Sequence, residues 1–305
     1  MSQTSDPGVC FEDFGTRRDE MHQTINEWIE DLAGSVGEAR ASAEFQDWLN
    51  VQSQFHDYSY RNTLLIRTQC LGASRVAGYH TWQNEFERHV KVGESAIWIW
   101  APIITKQCPN CGKSPTHHER GDCEYNDLPT DEWPRGLVGF RPTAVFDVSQ
   151  TEGEPLPELD TEARGDALGL VTALIDAGET LNIDVCLVEA GEWEYGDALG
   201  VCTPGSSGDS RAFVEVKACS NQASMAGTLI HEYAHALLHT DIDETERSKR
   251  EVEAEAVAHV VGRYYNLDTS GSAFYLAAWE PDNPEIVRER LERITRTATR
   301  IIDAL

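Results

Sequence analysis

A chain of 305 residues is longer than one hydrophobic core usually grows, so about two domains are expected. With 40% hydrophobic and 25% charged residues it can build real cores, which excludes a globally disordered polymer. Fifty-two acidic residues against 25 basic ones, a net charge of -27, exclude a histone-like polycation that binds nucleic acid through its whole surface.

Only five of the cations are lysine: Lys91, Lys106, Lys113, Lys217 and Lys249. Acid-rich, lysine-poor surfaces suit concentrated salt, where the Debye length falls to about 3 Å at 1 M and self-repulsion is screened. A halophilic, haloarchaeal type of cytoplasm is therefore expected. The first fourteen residues lack the basic and apolar regions of a secretory signal, and no apolar run approaches the roughly 18 residues of a membrane span. These features predict a soluble, cytoplasmic protein without a membrane partner. In a reducing cytosol, clustered members of the eight cysteines read first as metal ligands.

In chain order, Thr24 to Trp48 is amphipathic with helical spacing, and VQSQFHDYSYRNTLLIRTQ continues the pattern to a break at Gly72. Within it Ser59, Asn62 and Gln69 share one helical stripe, beside Tyr58 and Arg67, while Leu64 and Leu65 point elsewhere. Amides, a hydroxyl, cations and an aromatic ring suit hydrogen bonding to and stacking on unpaired bases, and Tyr79, Trp82, Arg88 and Lys91 extend the set. An amphipathic helix with ordinary core aromatics gives the same pattern.

SAIWIWAPIIT and GLVGFRPTAVFDVSQ read as strands. Between them, residues 106–135 look like an insert carried on a hairpin. It contains CPNCGKSPTHHERGDC, in which Cys108, Cys111, Cys123 and a histidine, His118 or His117, form a three-thiolate, one-imidazole set suited to a closed structural zinc site. Residues 151–160 mix Pro, Gly and acids without periodicity and read as a linker. The expected division is a first domain over 1–150 and a second over 161–305.

In the second half, Thr161 to Leu181 reads as helix, IDVCLVE and RAFVEVK as strands, and Asn221 to His239, Ser248 to Tyr265 and Asn283 to Leu305 as helices. The first of these last three carries His231, Glu232 and His235 as His-Glu-x-x-His. Residues four apart lie about 40° apart around a helix and one turn along it, so both imidazoles reach one ion, with Glu232 beside it as general base. The next helix brings Glu251 as a third ligand and Glu255, one turn on, as acceptor of a ligand histidine's free N–H. His239 lies about 12 Å along the axis from His231, too far to share the ion; with His259 it reads as a partner of the ligand residues or as packing.

HEYAHALLH followed by EVEAEAVAH resembles the ImmA/IrrE group of gluzincin-type, zincin-like intracellular metallopeptidases. That resemblance implies metal ligation by His231, His235 and the later glutamate, chosen among Glu251, Glu253 and Glu255, and base catalysis by Glu232. FHDYSYRNTLLIRTQ, VAGYHTWQ, VKVGESAIWIWAP and AVFDVSQTEGEPLP, in that order, resemble the N-terminal domain of ArdC-type antirestriction proteins, which join a single-stranded DNA-binding domain to such a metallopeptidase domain. The resemblance covers about residues 40–305, apart from the cysteine insert. The expectation is therefore a two-domain α+β protein: a zinc metallopeptidase acting on a peptide or protein and coupled to single-stranded DNA, with one catalytic and one structural zinc. The alternative is a non-hydrolytic, metal-stabilised protein that shields DNA from nucleases. No residue is assigned to stabilise an oxyanion; Tyr233, Tyr264 and Tyr265 are the candidates.

Overall fold

The computed structural model describes residues 9–35, 39–121, 123–125, 127–156, 167–205, 211–238, 247–269 and 283–305. In chain order the elements are α1 (Arg17–Gly34), α2 (Ala39–Gln54), α3 (Tyr60–Gln69), β1 (Val76–Ala77), α4 (Tyr79–Glu85), β2 (Arg88–Val90), β3 (Ile97–Lys106), α5 (Pro115–Glu119), β4 (Arg135–Asp147), a 3-10 turn (Val148–Gln150) and β5 (Thr151–Gly153). There follow α6 (Ala167–Leu181), β6 (Ile183–Val188), β7 (Gly200–Thr203), β8 (Ala212–Lys217), α7 (Gln222–Leu238), α8 (Arg247–Tyr264) and α9 (Pro284–Ala304). Helix and sheet are mixed, and no helix of the described residues is long and apolar enough to cross a membrane.

The chain divides into two units: residues 1–24 with 68–154, and residues 25–67 with 155–305. The sequence reading places a linker over 151–160; the chain passes between the units at 24–25, 67–68 and 154–155. Residues 25–67, read from sequence as part of the first domain, instead belong to the second unit, because α2 packs on α8. Phe45, Trp48 and Leu49 are fully buried there, and the Trp48 indole donates to Thr63 Oγ1 at 3.0 Å. Of the expected linker, residues 157–160 lie outside the described residues.

In the first unit β3 and β4 form a long antiparallel hairpin from Ile97 opposite Val145 to Lys106 opposite Arg135, with a register shift between Ile103 and Ile104. The residues between these strands are the cysteine insert. β1 pairs with the far edge of β4, and β2 pairs with β5. Asp147 ends β4 fully buried, because it acts as a staple: its carboxylate accepts from the backbone N–H of Ser74 at 2.7 Å, Arg75 at 3.0 Å and Ser149 at 2.9 Å. Burial alone would raise its pKa, but the hydrogen bonds from Ser149, Ser74 and Arg75 outweigh it and hold the carboxyl below its usual value.

In the second unit the sheet order is β6-β8-β7, with β6 parallel and β7 antiparallel to β8. α7 packs on α6, α8, β7 and β8 and buries Met225, Ala226, Leu229, Ile230 and Tyr233, whose spacing makes one stripe. α8 packs on α2, α7 and α9 and buries Val252, Ala254, Ala256, Val257, Val260 and Val261. β7 is absent from the sequence reading; four residues, Gly-Val-Cys-Thr, give too short a pattern to register.

Candidate metal centre

The stripe that buries α7 leaves His231 and His235 together on a flank of the helix. Their Nε2 atoms lie 3.1 Å apart, and Glu251 Oε2, from the first turns of α8, lies 3.4 Å from His231 Nε2 and 3.6 Å from His235 Nε2. Three ligand atoms at the corners of a tetrahedron about 2.1 Å from a central zinc would be about 3.4 Å apart. The donors therefore fit a small divalent cation in both spacing and chemistry, with two neutral imidazoles and a carboxylate. Glu255, one turn along α8 from Glu251, places Oε2 3.3 Å from His231 Nδ1, where it fixes the tautomer that turns Nε2 toward Glu251.

Glu253 is excluded from this set by helical phase. It points the other way, fully buried, and pairs with Arg290 at 2.9 Å and Arg293 at 3.5 Å. His259 is buried beside Asn50, 2.9 Å from its Oδ1, and burial, then Arg263, pull its pKa down to about 4. His239 lies outside the described residues.

Electrostatics mark the same cluster. Burial opposes protonation of His231, but the carboxylates of Glu251, Glu255 and Glu232 outweigh it and push its pKa up to about 9. Reciprocally, His231 and His235 hold the Glu251 carboxyl far below the usual range. A proton and a divalent cation thus compete for one preassembled donor set.

Glu232 is buried beside these ligands, and burial raises its pKa against the pull of the two histidines. Its carboxylate accepts a hydrogen bond from the backbone N–H of Cys202 on β7. A side chain on the neighbouring Gly200 would meet Thr228 Cγ2 at 2.6 Å, Glu232 Cγ at 2.8 Å and Glu232 Oε1 at 2.9 Å. Glycine at this point is what lets β7 lie against Glu232. The sequence reading missed both residues. His231, Glu232, His235 and Glu251 line an open cleft of about 1460 Å³, together with β7 and Arg250. The three tyrosines considered for an oxyanion are not among its lining residues. Tyr233 is fully buried and donates to Leu174 O, Tyr264 meets the His56 ring, and Tyr265 Oη lies 3.5 Å from Ile302 O.

In the hairpin insert, Cys108, Cys111, His118 and Cys123 bring their ligand atoms within 4.8 Å of one another. His118 Nδ1 is 3.5 Å from Cys111 Sγ, whereas His117 Nδ1 turns away to Ser114 Oγ at 2.8 Å.

The residues expected to meet DNA do not form one exposed stripe, and they are shared between the units: Tyr58, Ser59, Asn62 and Arg67 in the second, the rest in the first. Trp82, expected as a stacking platform, is buried at 2% exposure with its indole donating to Phe146 O at 2.8 Å. Asn62 is buried because α3 buries every residue from Asn62 to Ile66. The Gln69 amide is used twice by the Trp98 backbone, at 2.8 and 2.9 Å. Arg88 ties β2 to β5 through Thr151, and Arg67 pairs with Asp47 at 3.6 Å. Tyr58 is half-buried against Phe55; Ser59, Tyr79 and Lys91 are exposed.

The second unit thus carries a two-histidine, one-carboxylate candidate metal centre with a buried acid beside it in an open cleft. No family model matches the chain. An uncharacterized protein of Bacillus anthracis is 25% identical over 279 residues, which cover 84% of this chain and 46% of that protein. The chain therefore spans about half the length of this curated relative. Among solved structures, the antirestriction protein ArdC of plasmid R388 aligns in its metal-free form with a TM-score of 0.44 and 14% identity, covering 81% of this chain and 85% of that one. Its Mn(II)-bound form aligns with a TM-score of 0.45 and 14% identity, covering 86% and 97%.

Proposed function

We propose that the second unit is a metal-dependent peptide hydrolase. The observation that carries this reading is the convergence of His231, His235 and Glu251 around one small volume with Glu232 alongside. His231, His235 and Glu251 would hold a divalent cation, zinc by donor chemistry. When bound, such an ion supplies a Lewis acid that polarises a carbonyl and acidifies water in the cleft. Glu232, oriented by the Cys202 N–H, takes a proton from water as the water oxygen bonds to the carbonyl carbon. It then returns that proton to the departing amine nitrogen as the C–N bond breaks. Glu255 holds the His231 ring in register throughout.

The cleft argues for a polymeric substrate. At about 1460 Å³ it exceeds the roughly 300 to 1,000 Å³ of small-molecule pockets. β7, the last strand of the β6-β8-β7 order, lines the cleft with Gly200, Val201 and Cys202, so an extended peptide can add to its edge. Single-stranded DNA is the proposed partner of the first unit. This part rests on the resemblance of VAGYHTWQ, VKVGESAIWIWAP and AVFDVSQTEGEPLP, in that order, to ArdC-type domains, with exposed Tyr79 and Lys91 as the remaining contacts; the further segment FHDYSYRNTLLIRTQ falls almost entirely in the second unit.

Glu232→Gln tests the reading, since it removes the base and spares all three donors. The variant is expected to keep its metal content and lose cleavage of a proteome-derived peptide library read by mass spectrometry. If wild type cleaves nothing, and protection of single-stranded DNA from nuclease survives Glu232→Gln but is lost in His235→Ala, the metal serves structure and the hydrolase reading fails.

A further inference from the structure

The hairpin insert lies outside everything the proposed hydrolase uses. Of its described residues from 107 to 134, only Cys108 and Trp133 are buried. Two buried side chains cannot offset the conformational entropy of ordering so long a loop, so its fold needs another source of stability. The loop is nevertheless built around its cysteines. Cys108 N–H donates to Lys113 O and Gly112 N–H to Cys108 O, both at 2.9 Å, and Gly112 takes a φ of +70°, the left-handed turn that glycine adopts without strain. This tight turn swings Cys111 back beside Cys108. α5 then presents His118, and Asn110 Nδ2 donates to Cys123 Sγ at 3.3 Å. The His118 ring packs edge-on against Trp133, centroids 4.9 Å apart, and the Trp133 indole donates to Leu128 O at 3.0 Å. The one large side chain buried among the described residues of the loop therefore buttresses one of the four candidate ligands.

We propose that Cys108, Cys111, Cys123 and His118 Nδ1 bind a structural zinc ion that closes the tip of the β3–β4 hairpin. The donor set is closed: three thiolates and an imidazole fill a tetrahedral shell and leave no position for water, unlike the centre on α7 and α8. His118 presents Nδ1 with its ring against Trp133, whereas His117 turns its Nδ1 to Ser114 Oγ and is not among the four residues whose ligand atoms cluster.

Cobalt substitution separates this site from the other, because only thiolate ligands give an intense charge-transfer band in the near ultraviolet. Full-length reduced protein loaded with cobalt should show that band at the intensity of one thiolate site per chain and lose it when zinc is added in excess of both candidate sites. Glu251→Gln and His117→Ala should retain the band, while Cys111→Ser and His118→Ala should abolish or shift it. A readout on the wild type alone covers variants that do not fold. N-ethylmaleimide should modify Cys10, Cys186 and Cys219 with or without zinc, but Cys108, Cys111 and Cys123 at least tenfold faster after chelation. Absence of the band in reduced wild type, its persistence in Cys111→Ser, or alkylation of the three cysteines unchanged by zinc would overturn the proposal.

Discussion

Glu251→Gln tests the donor geometry without needing a substrate. An ion that binds only the folded protein stabilises it by RT ln(1 + [L]/Kd), about 2.7 kcal/mol at one hundred times Kd. At roughly 2 to 4 °C per kcal/mol for a domain of this size, zinc at that concentration should raise the melting temperature of the second unit by about 5 to 10 °C over chelated protein. Removing the anionic one of three protein donors should weaken binding by about 100-fold or more, since loss of an outer-shell partner alone costs up to that much. The same zinc concentration then sits near Kd, the gain falls to about 0.4 kcal/mol, and the shift shrinks to about 1 to 2 °C. Glu253→Gln is the control. It breaks the buried pair with Arg290 and Arg293, which should cost about 3 to 5 kcal/mol, yet leave the zinc-dependent increment intact. Calorimetric melts of the three proteins, with zinc and with chelator, decide the matter. If Glu251→Gln retains the wild-type increment, or Glu253→Gln loses it, the assignment of the third donor is wrong.

Gly200→Ala should lower peptide cleavage by about 100-fold, as a misplacement of the base near 1 Å does, while metal content stays unchanged; equal activity would show that β7 yields at no cost to Glu232. Asp147→Ala leaves the N–H groups of Ser74, Arg75 and Ser149 without their acceptor and should cost about 1 to 3 kcal/mol by urea melt of the first unit. Because the folded pKa of Asp147 is depressed, its contribution is present above the unfolded value near 3.9 and fades as pH falls through the lower folded value, so the acid limb of the wild-type stability curve should flatten in the variant. The excess of acids predicts a melting temperature that rises from 0.1 to 3 M potassium chloride, and a flat or falling response would remove the halophilic reading. On single-stranded oligonucleotides at high salt, Tyr79→Ala should weaken binding more than Lys91→Ala, since phosphate contacts are screened and stacking is not; filter binding with equal losses would count against stacking.

How much of this is legible in the sequence depends on how far apart along the chain the interacting groups lie. The His231 and His235 pair is readable because helical spacing alone sets its geometry, and the same phase puts Glu251 and Glu255 on one face with Glu253 on the other. The turn from Cys108 to Lys113 is readable because it too is local: its hydrogen bonds span at most five residues. The DNA stripe on α3 fails differently. Its angular positions are right, but period does not say how many sides of a helix are covered, and α3 is covered on nearly all of them, so Asn62 is spent inside. Trp82 likewise cannot declare itself a core residue until Phe146, at the end of β4, supplies the carbonyl for its indole.

The residues that position Glu232 were beyond reach for a physical reason that bears on the chemistry. Gly200 and Cys202 act through absence and through backbone: one contributes no Cβ, the other an N–H, and neither leaves a side-chain signature. If Glu232 serves as the proposed base, a backbone donor suits it, since such a donor cannot rotate away and brings no charge to compete with a metal. An arginine or lysine in place of that donor would pair with Glu232, depress its basicity and repel the ion its neighbours are arranged to hold. On the proposed reading, the short β7 is thus where the cleft would reconcile an acidic cluster with a usable base, and such centres should carry a small residue on an edge strand facing the motif glutamate as well as the motif.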